Sequence, residues 1–411
     1  MNQRRNPSLP TPPPDPTRTL TATIPDQEPS IEKSSQADEP PDGGYGWICV
    51  ACIFFINMHT WGVNSSYGVF LAFYLAHNYF PHASPIQFAF VGGLSISQAL
   101  LIAPLATYIT GRYGTRSTLM TGVVLETVAL VGASFTHNIW QLFLSQGLCF
   151  GFGMGFLFVG SVGIVPQWFS AKRSLANGIA TAGSGLGGMM YSLAANAMIE
   201  SLGIQWTFRI LGILCCAINL VCTVLVKDRN TAIGAKQVAF DYTLFKRGEF
   251  WLLLGWGFFS MMGYVVLLFS LPNYAVSLGL SARKGSEIGA LLNLGQGIGR
   301  PVVGILSDRA GRINLAGLCT FVAGFLSLVM WTFAKSYGIV IFFAILVGTV
   351  AGTFWTAIAP VGAETVGLVE LPSALSIMWV FLVVPTTCKL LNANKWHEVH
   401  ITQSRNLLLL N

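Results

Sequence analysis

The chain of 411 residues is 53% hydrophobic and only 10% charged, with a mean hydropathy of +0.60. Soluble domains carry about 25% charged residues, so the composition excludes a soluble protein and defines an integral membrane one. The net charge of +6 is therefore read by its distribution across a bilayer and not as a nucleic-acid footprint, since no DNA- or RNA-binding motif accompanies it.

The first 41 residues hold ten of the nineteen prolines together with many Ser, Thr and acidic residues. Such a segment buries too little apolar surface to offset its ordering entropy, and reads as a disordered cytosolic tail, residues 1–41. It lacks the apolar core of a signal peptide, so the first hydrophobic segment should stay in the membrane.

From Trp47 onward the chain is a series of apolar runs, each long enough to cross a hydrocarbon core of roughly 30 Å. They fall at 47–75, 86–109, 117–135, 139–164, 174–199 and 206–226, then at 249–275, 286–306, 313–334, 338–359 and 373–391. That predicts eleven spans in an all-α membrane fold. The polar stretch 227–248 divides them into a six-helix bundle, 42–226, and a five-helix bundle, 249–391. With the N-terminus inside, fifteen basic loop residues lie on the cytosolic face against Arg283, Lys284 and Lys335 on the other, which is a positive-inside distribution. A multi-pass protein of the plasma membrane, or of a vacuolar or other internal membrane, is expected.

Two cytosolic loops six helices apart echo each other, "GRYGTR" at 111–116 and "GILSDRAGR" at 304–312. Parallel repeats of this kind build the major facilitator fold, and the second loop resembles its inter-helix signature, with Gly111 standing where the first copy usually has Asp. Arg112, Arg116, Asp308, Arg309 and Arg312 are accordingly candidate gating residues, whose charge-assisted contacts would open and close as the halves rock.

Three further stretches narrow the resemblance. "PDGGYGW", with Asp42, Gly43, Gly44, Gly46 and Trp47, is similar to the first-helix motif of the monocarboxylate transporter family. "WFSAKRSLANGIATAGSGLGG" (168–188), with Lys172 and Arg173, resembles that family's fourth-to-fifth helix segment, and Arg300-Pro301 stands at its membrane-embedded Arg-Pro. The likeness runs from about Asp42 to about Pro385 and is closest to the fungal branch, which also carries other solutes, riboflavin among them. It implies a secondary-active carrier of small organic solutes, working by alternating access. Simpler readings also stand: interfacial anchoring by Tyr45 and Trp47, topology signals at Lys172 and Arg173, and close helix packing at the glycines.

Arg300 lies about 12 Å along a helix from Asp308, close to mid-membrane. A permanent cation there needs an anionic partner, a watery cavity, or a structural link to carbonyls or a buried acid; the resemblance assigns it to the substrate anion. The animal carriers of that family have a first-helix lysine where this chain offers Asn64 or Ser65, and an acid four residues before the arginine where it has Gln296. Asn64, Ser65, Asn293, Gln296 and Arg300 form the predicted substrate set, held by groups that orient a solute without strongly charging the site. His59 and Glu126 are the proton-coupling candidates, with plain hydrogen-bonded packing as the alternative for each. Trp61, Phe70, Tyr264, Trp355 and Trp379 could stack on a flat substrate or simply pack.

No nucleotide-binding glycine loop appears and the eight cysteines have no metal-like spacing, so neither an enzyme, a cofactor, a metal nor an obligate protein partner is expected. The partners expected are a small solute, protons and the bilayer. After Pro385 the chain supplies no twelfth span, and residues 392–411 form an atypical tail that reads as a truncated or mis-spliced end. A transporter-like sensor signalling through the N-terminal tail, or an inactive truncated product, are the competing readings.

Overall fold

The computed structural model describes residues 40–387 apart from His82. Among these residues there are helices and no strands, and each of the eleven apolar runs is helical. The helices are α1 (Gly46–Ala76), α2 (Pro85–Leu101 and Ala103–Tyr113, bent by 42°), α3 (Thr115–Ala133), α4 (Ile139–Trp168), α5 (Arg173–Leu202) and α6 (Ile204–Leu225). They are followed by α7 (Gly248–Ser277), α8 (Ala282–Ala310), α9 (Arg312–Phe333), α10 (Tyr337–Val366) and α11 (Leu371–Thr387). The predicted N-terminal tail up to residue 39 and the segment beyond 387, including the atypical tail, lie outside the described residues.

Seven helices are long and apolar enough to cross a membrane on those grounds alone, eight with the bent α2. Against the eleven spans expected, α5 and α8 fall short although they are 30 and 29 residues long, because Gly, Ser, Asn and Gln dilute their apolar content. These two helices make the most extensive pairing in the molecule, so protein and not lipid covers much of their polar content. The described part of α11 is 17 residues, too short to count.

Helices α1 to α6 pack mainly on one another, as do α7 to α10. Two main seams join the groups among the described residues. One is α5 against α8, where a Cβ added to Gly185 would lie 2.6 Å from the Gly297 nitrogen and one added to Gly178 would lie 2.5 Å from the Arg300 carbonyl. Only glycine permits that approach, which replaces side-chain bulk with backbone contact. The other is an apolar core in which Ile96 and Leu100 of α2 and Phe158 of α4 meet Trp355 of α10 and Trp379 and Leu382 of α11. The outward face of α9 shows Phe321, Phe325, Leu328 and Phe333 largely exposed. A patch of that size would aggregate in water, and is the surface expected against lipid tails.

The segment before α1 is tied down. The Asp42 carboxylate accepts from the backbone N–H groups of Ser170 at 2.7 Å and Ala171 at 2.9 Å, just ahead of α5. Tyr45 donates to the Leu225 carbonyl at 2.7 Å under the Lys227 ammonium, and Trp47 packs edge-on against Phe169. The motif therefore fastens α1 to the α4–α5 turn and the end of α6. Burial pushes the Asp42 carboxyl upward, but the N–H groups of Ser170, Ala171 and Lys172 and the charge of Arg173 outweigh it, and the net shift is downward. A depressed native value stabilises the fold above the unfolded value of about 3.9, and that stabilisation is lost as pH falls through the native value. We expect Asp42→Ala to cost about 1 kcal/mol at neutral pH, with the difference in thermal unfolding from the parent closing in strong acid. Equal unfolding temperatures at neutral pH would show that the contacts contribute nothing.

Candidate functional site

A cavity lies between the two helix groups, and its lining follows from helical spacing. Asn57, Trp61, Asn64 and Ser65 come from α1, Thr181 and Ser184 from α5, and Asn293, Gln296 and Arg300 from α8. Steps of three and four residues place each set on one helix face. Met261, Tyr264, Val265 and Leu268 of α7, Ile96 of α2, Phe158 of α4 and Trp355 of α10 complete the wall.

Arg300 is 3% exposed, and it is the one charged residue among those lining the cavity. Its Nη1 donates to the Thr181 carbonyl at 2.5 Å and to the Ser184 hydroxyl, and its Nη2 donates to Gln296 Oε1 at 2.8 Å. The Tyr264 hydroxyl donates to the same Gln296 oxygen at 2.9 Å, and Gln296 Nε2 reaches Asn293 Oδ1 at 3.4 Å. Gly352, at the break in α10, leaves room for the guanidinium: a Cβ there would sit 3.0 Å from Arg300 Nε. No carboxylate lines the cavity among the described residues. The cation is thus held by neutral oxygens, a carbonyl, a hydroxyl and an amide, which orient it without cancelling its charge. Arg300 Nε and Trp61 Nε1 are buried donors without an acceptor in the described structure, an arrangement that favours an incoming acceptor.

The other predicted substrate residues are brought to the same cavity. Asn64 Oδ1 accepts from Ser95 at 2.8 Å, and the Ser65 hydroxyl is turned back to the Trp61 carbonyl at 2.9 Å. The aromatic set divides. Trp61 lies 5.0 Å from Trp355, and Tyr264 lies 6.4 Å from Trp355, so these three form a wall. Trp379 stacks behind Trp355 at 5.9 Å and is fully buried, while Phe70 stacks on Phe208 away from the cavity.

The face bearing residues 227–247 is latched. Asp308, at the end of α8, accepts from the Ser174 and Leu175 N–H groups in the first turn of α5, each at 2.9 Å. Arg312 pairs with Asp308 at 3.2 Å and with Glu364 at 2.8 Å, and also reaches the Ser170 carbonyl. On the second seam the central loop supplies the link: Glu370 pairs with Arg247 at 2.8 Å, and the Lys236 N–H donates to the Val369 carbonyl at 2.8 Å. Gly111, where the first repeat lacks its Asp, is crossed by Gln237, whose Cβ would lie 2.8 Å from an added Cβ. Arg112 and Arg309 are exposed, and Arg116 donates to the Val224 carbonyl at 3.3 Å within its own helix group. Arg173 is buried and bonds the Phe169 carbonyl at 2.8 Å, whereas Lys172 is exposed.

His59 and Glu126 do not line the cavity. His59 Nδ1 donates to the Phe55 carbonyl at 2.8 Å, and Glu126 of α3 accepts from Asn219 of α6 at 2.8 Å, inside the first helix group. Sequence reasoning passed over Asn57, Thr181, Ser184 and Glu364. Thr181 and Ser184 were visible only as members of a small-residue run; a three-residue step of hydroxyls toward an embedded arginine was the available signal.

The sequence matches the Major Facilitator Superfamily over residues 49–384, and the chain belongs to that superfamily. It is a multi-pass membrane transporter and not an enzyme. Among proteins similar to it, the "Probable transporter MCH2" of Saccharomyces cerevisiae is 35% identical over 349 residues, covering 84% of this chain and 74% of that protein. The "Uncharacterized transporter ESBP6" of the same yeast is 36% identical over 351 residues, 81% of this chain. The match spans about half of that relative's length, 52%. The "MFS transporter asaE" of Aspergillus flavus is 28% identical over 365 residues, covering 87% of this chain and 81% of the relative.

Proposed function

We propose that this chain is a secondary-active carrier of small organic anions of the monocarboxylate type, binding them at Arg300 and exposing the cavity alternately to the two faces. The observation that carries this reading is the buried Arg300 guanidinium, uncancelled by any carboxylate in the cavity lining. A solute carboxylate would take the place of the Thr181, Ser184 and Gln296 oxygens around Arg300, while Asn64, Ser65 and Asn293 would fix its polar substituents. Because Thr181 and Ser184 belong to α5 and Arg300 to α8, such an exchange alters the seam along which the halves move. The latch at Asp308, Arg312 and Glu364, on the cytosolic face in this reading, holds that side shut.

The Trp61, Tyr264 and Trp355 wall favours a second reading, a larger flat solute with an anionic group. Uptake into cells or vesicles of labelled lactate, pyruvate and riboflavin, each beside a neutral analogue of matched size, separates the two. Accumulation of the small acids over their neutral analogues supports the first reading, and accumulation of riboflavin alone supports the second. Uptake of the neutral analogues in preference to every acid would sink the anion site.

Gln296 makes a further expectation. In Gln296→Glu the new carboxylate stands one helical turn from Arg300, where Gln296 Oε1 is already 2.8 Å from the guanidinium. It should pair with the arginine, weaken anion uptake at neutral pH by roughly tenfold, and be partly relieved when acid protonates it. A variant with undiminished uptake at neutral pH would mean that the anion binds elsewhere.

A further inference from the structure

Away from the cavity, a second set of polar side chains is enclosed among α1, α3, α4, α5 and α6. Glu126 of α3 is 1% exposed and Asn219 of α6 is fully buried. Asn219 Nδ2 donates to Glu126 Oε2 at 2.8 Å. The other two oxygens of the pair, Glu126 Oε1 and Asn219 Oδ1, are buried and have no donor in the described structure. An ionised carboxylate would leave both as bare acceptors, together with a negative charge. Among the described residues no cation faces that charge. From α4 the neighbour is Gly153, whose added Cβ would lie 2.5 Å from the Glu126 nitrogen. From α5 comes Tyr191 and from α6 Cys215, buried in one cluster and within electrostatic range of Glu126, with Tyr191 set edge-on to His59 of α1 at 5.8 Å.

One proton resolves both vacancies. On Oε1 it makes the acid a donor to Asn219 Oδ1 while Oε2 keeps its bond from Nδ2, so acid and amide close into a ring of two hydrogen bonds with no net charge. We propose that Glu126 and Asn219 form a proton-binding pair inside the first helix group, and that loss of this proton is the step by which pH acts on the carrier. The second half rests on the transport reading above; the first half does not. The link to the cavity is α5. Gly188 abuts Asn293 of α8 and Ser65 of α1, and Tyr191, one turn further on, lies within electrostatic range of Glu126. In this proposal a shift of α5 along the α8 seam displaces Tyr191, and water entering beside it takes the proton from the carboxyl.

Dicyclohexylcarbodiimide, which reacts with protonated carboxyls in apolar surroundings, reads the proton without any transport. Mass spectrometry of the purified full chain should find label on Glu126 in acid, declining as the medium is made alkaline and the carboxyl loses its proton. Glu126→Gln should carry no label there. In vesicles, the same variant should move solute at a rate that no longer changes with pH, while Glu126→Asp keeps the dependence. Absence of label on Glu126 at every pH overturns the proton-binding pair. Label that does not decline, or Glu126→Gln uptake that still follows pH, overturns the coupling while leaving the pair. Should Glu126→Gln fail to fold on size-exclusion, the labelling of the parent still decides the first half and Glu126→Asp, by a displaced pH profile, the second. A parent inactive toward every solute refutes the transport reading, and the labelling result stands apart from it.

Discussion

Arg300→Ala should lower uptake of an organic anion at least about 30-fold, while uptake of a neutral analogue of the same size changes little. Removing one partner of a buried, hydrogen-bonded charge pair costs about 2–5 kcal/mol, at about 1.4 kcal/mol per tenfold. Arg300→Lys should not restore activity. The guanidinium spans Thr181, Ser184 and Gln296 at once, and a lysine ammonium has neither the planar fork nor the same reach. Because those contacts also join α5 to α8, thermal unfolding must be measured beside uptake. Loss of anion and neutral uptake together, with a lowered unfolding temperature, would give Arg300 a structural role only. Anion uptake equal to the parent's would remove it from the site altogether.

The second large effect is expected at the latch. Asp308 satisfies two N–H groups at the start of α5 and holds Arg312, with side chains only 10% and 12% exposed. Asp308→Asn keeps the volume but offers one acceptor oxygen and no charge, either to the α5 terminus or to Arg312. We expect a loss of about 1–2 kcal/mol in the closed arrangement, shifting its population roughly tenfold toward the state open at that face. Ser307→Cys reports this directly, since Ser307 is 4% exposed and bonds Ser174 at 3.2 Å across the seam. In a background without other reactive cysteines, Asp308→Asn should speed its reaction with a thiol reagent and slow net uptake. Unchanged reactivity would mean that the α5–α8 glycines alone keep the face shut.

The alternation of apolar runs and polar loops determined the helices, because a bilayer leaves the backbone no other way to satisfy its hydrogen bonds. The two related loops and the Arg-Pro in α8 pointed to the family, and Arg300 declared itself as a cation too deep to reach water. What the sequence left open was partnership. Whether Arg300 met a buried acid, carbonyls or a cavity depended on α5, 116 to 119 residues away in the chain, and helical spacing within α8 carries no information about that distance. His59 and Glu126 looked alike as embedded ionisable groups. Packing left His59 on its own helix carbonyl and gave Glu126 the Asn219 amide. Asp42 and Trp47 read equally well as a loose interfacial turn; the fold made them a clamp on the α4–α5 turn, because α1 and α5 lie side by side. Local pattern fixes which residues share a helix face. Which two faces meet, and so which charges are left without a counter-ion, is set by the packing of all the helices together.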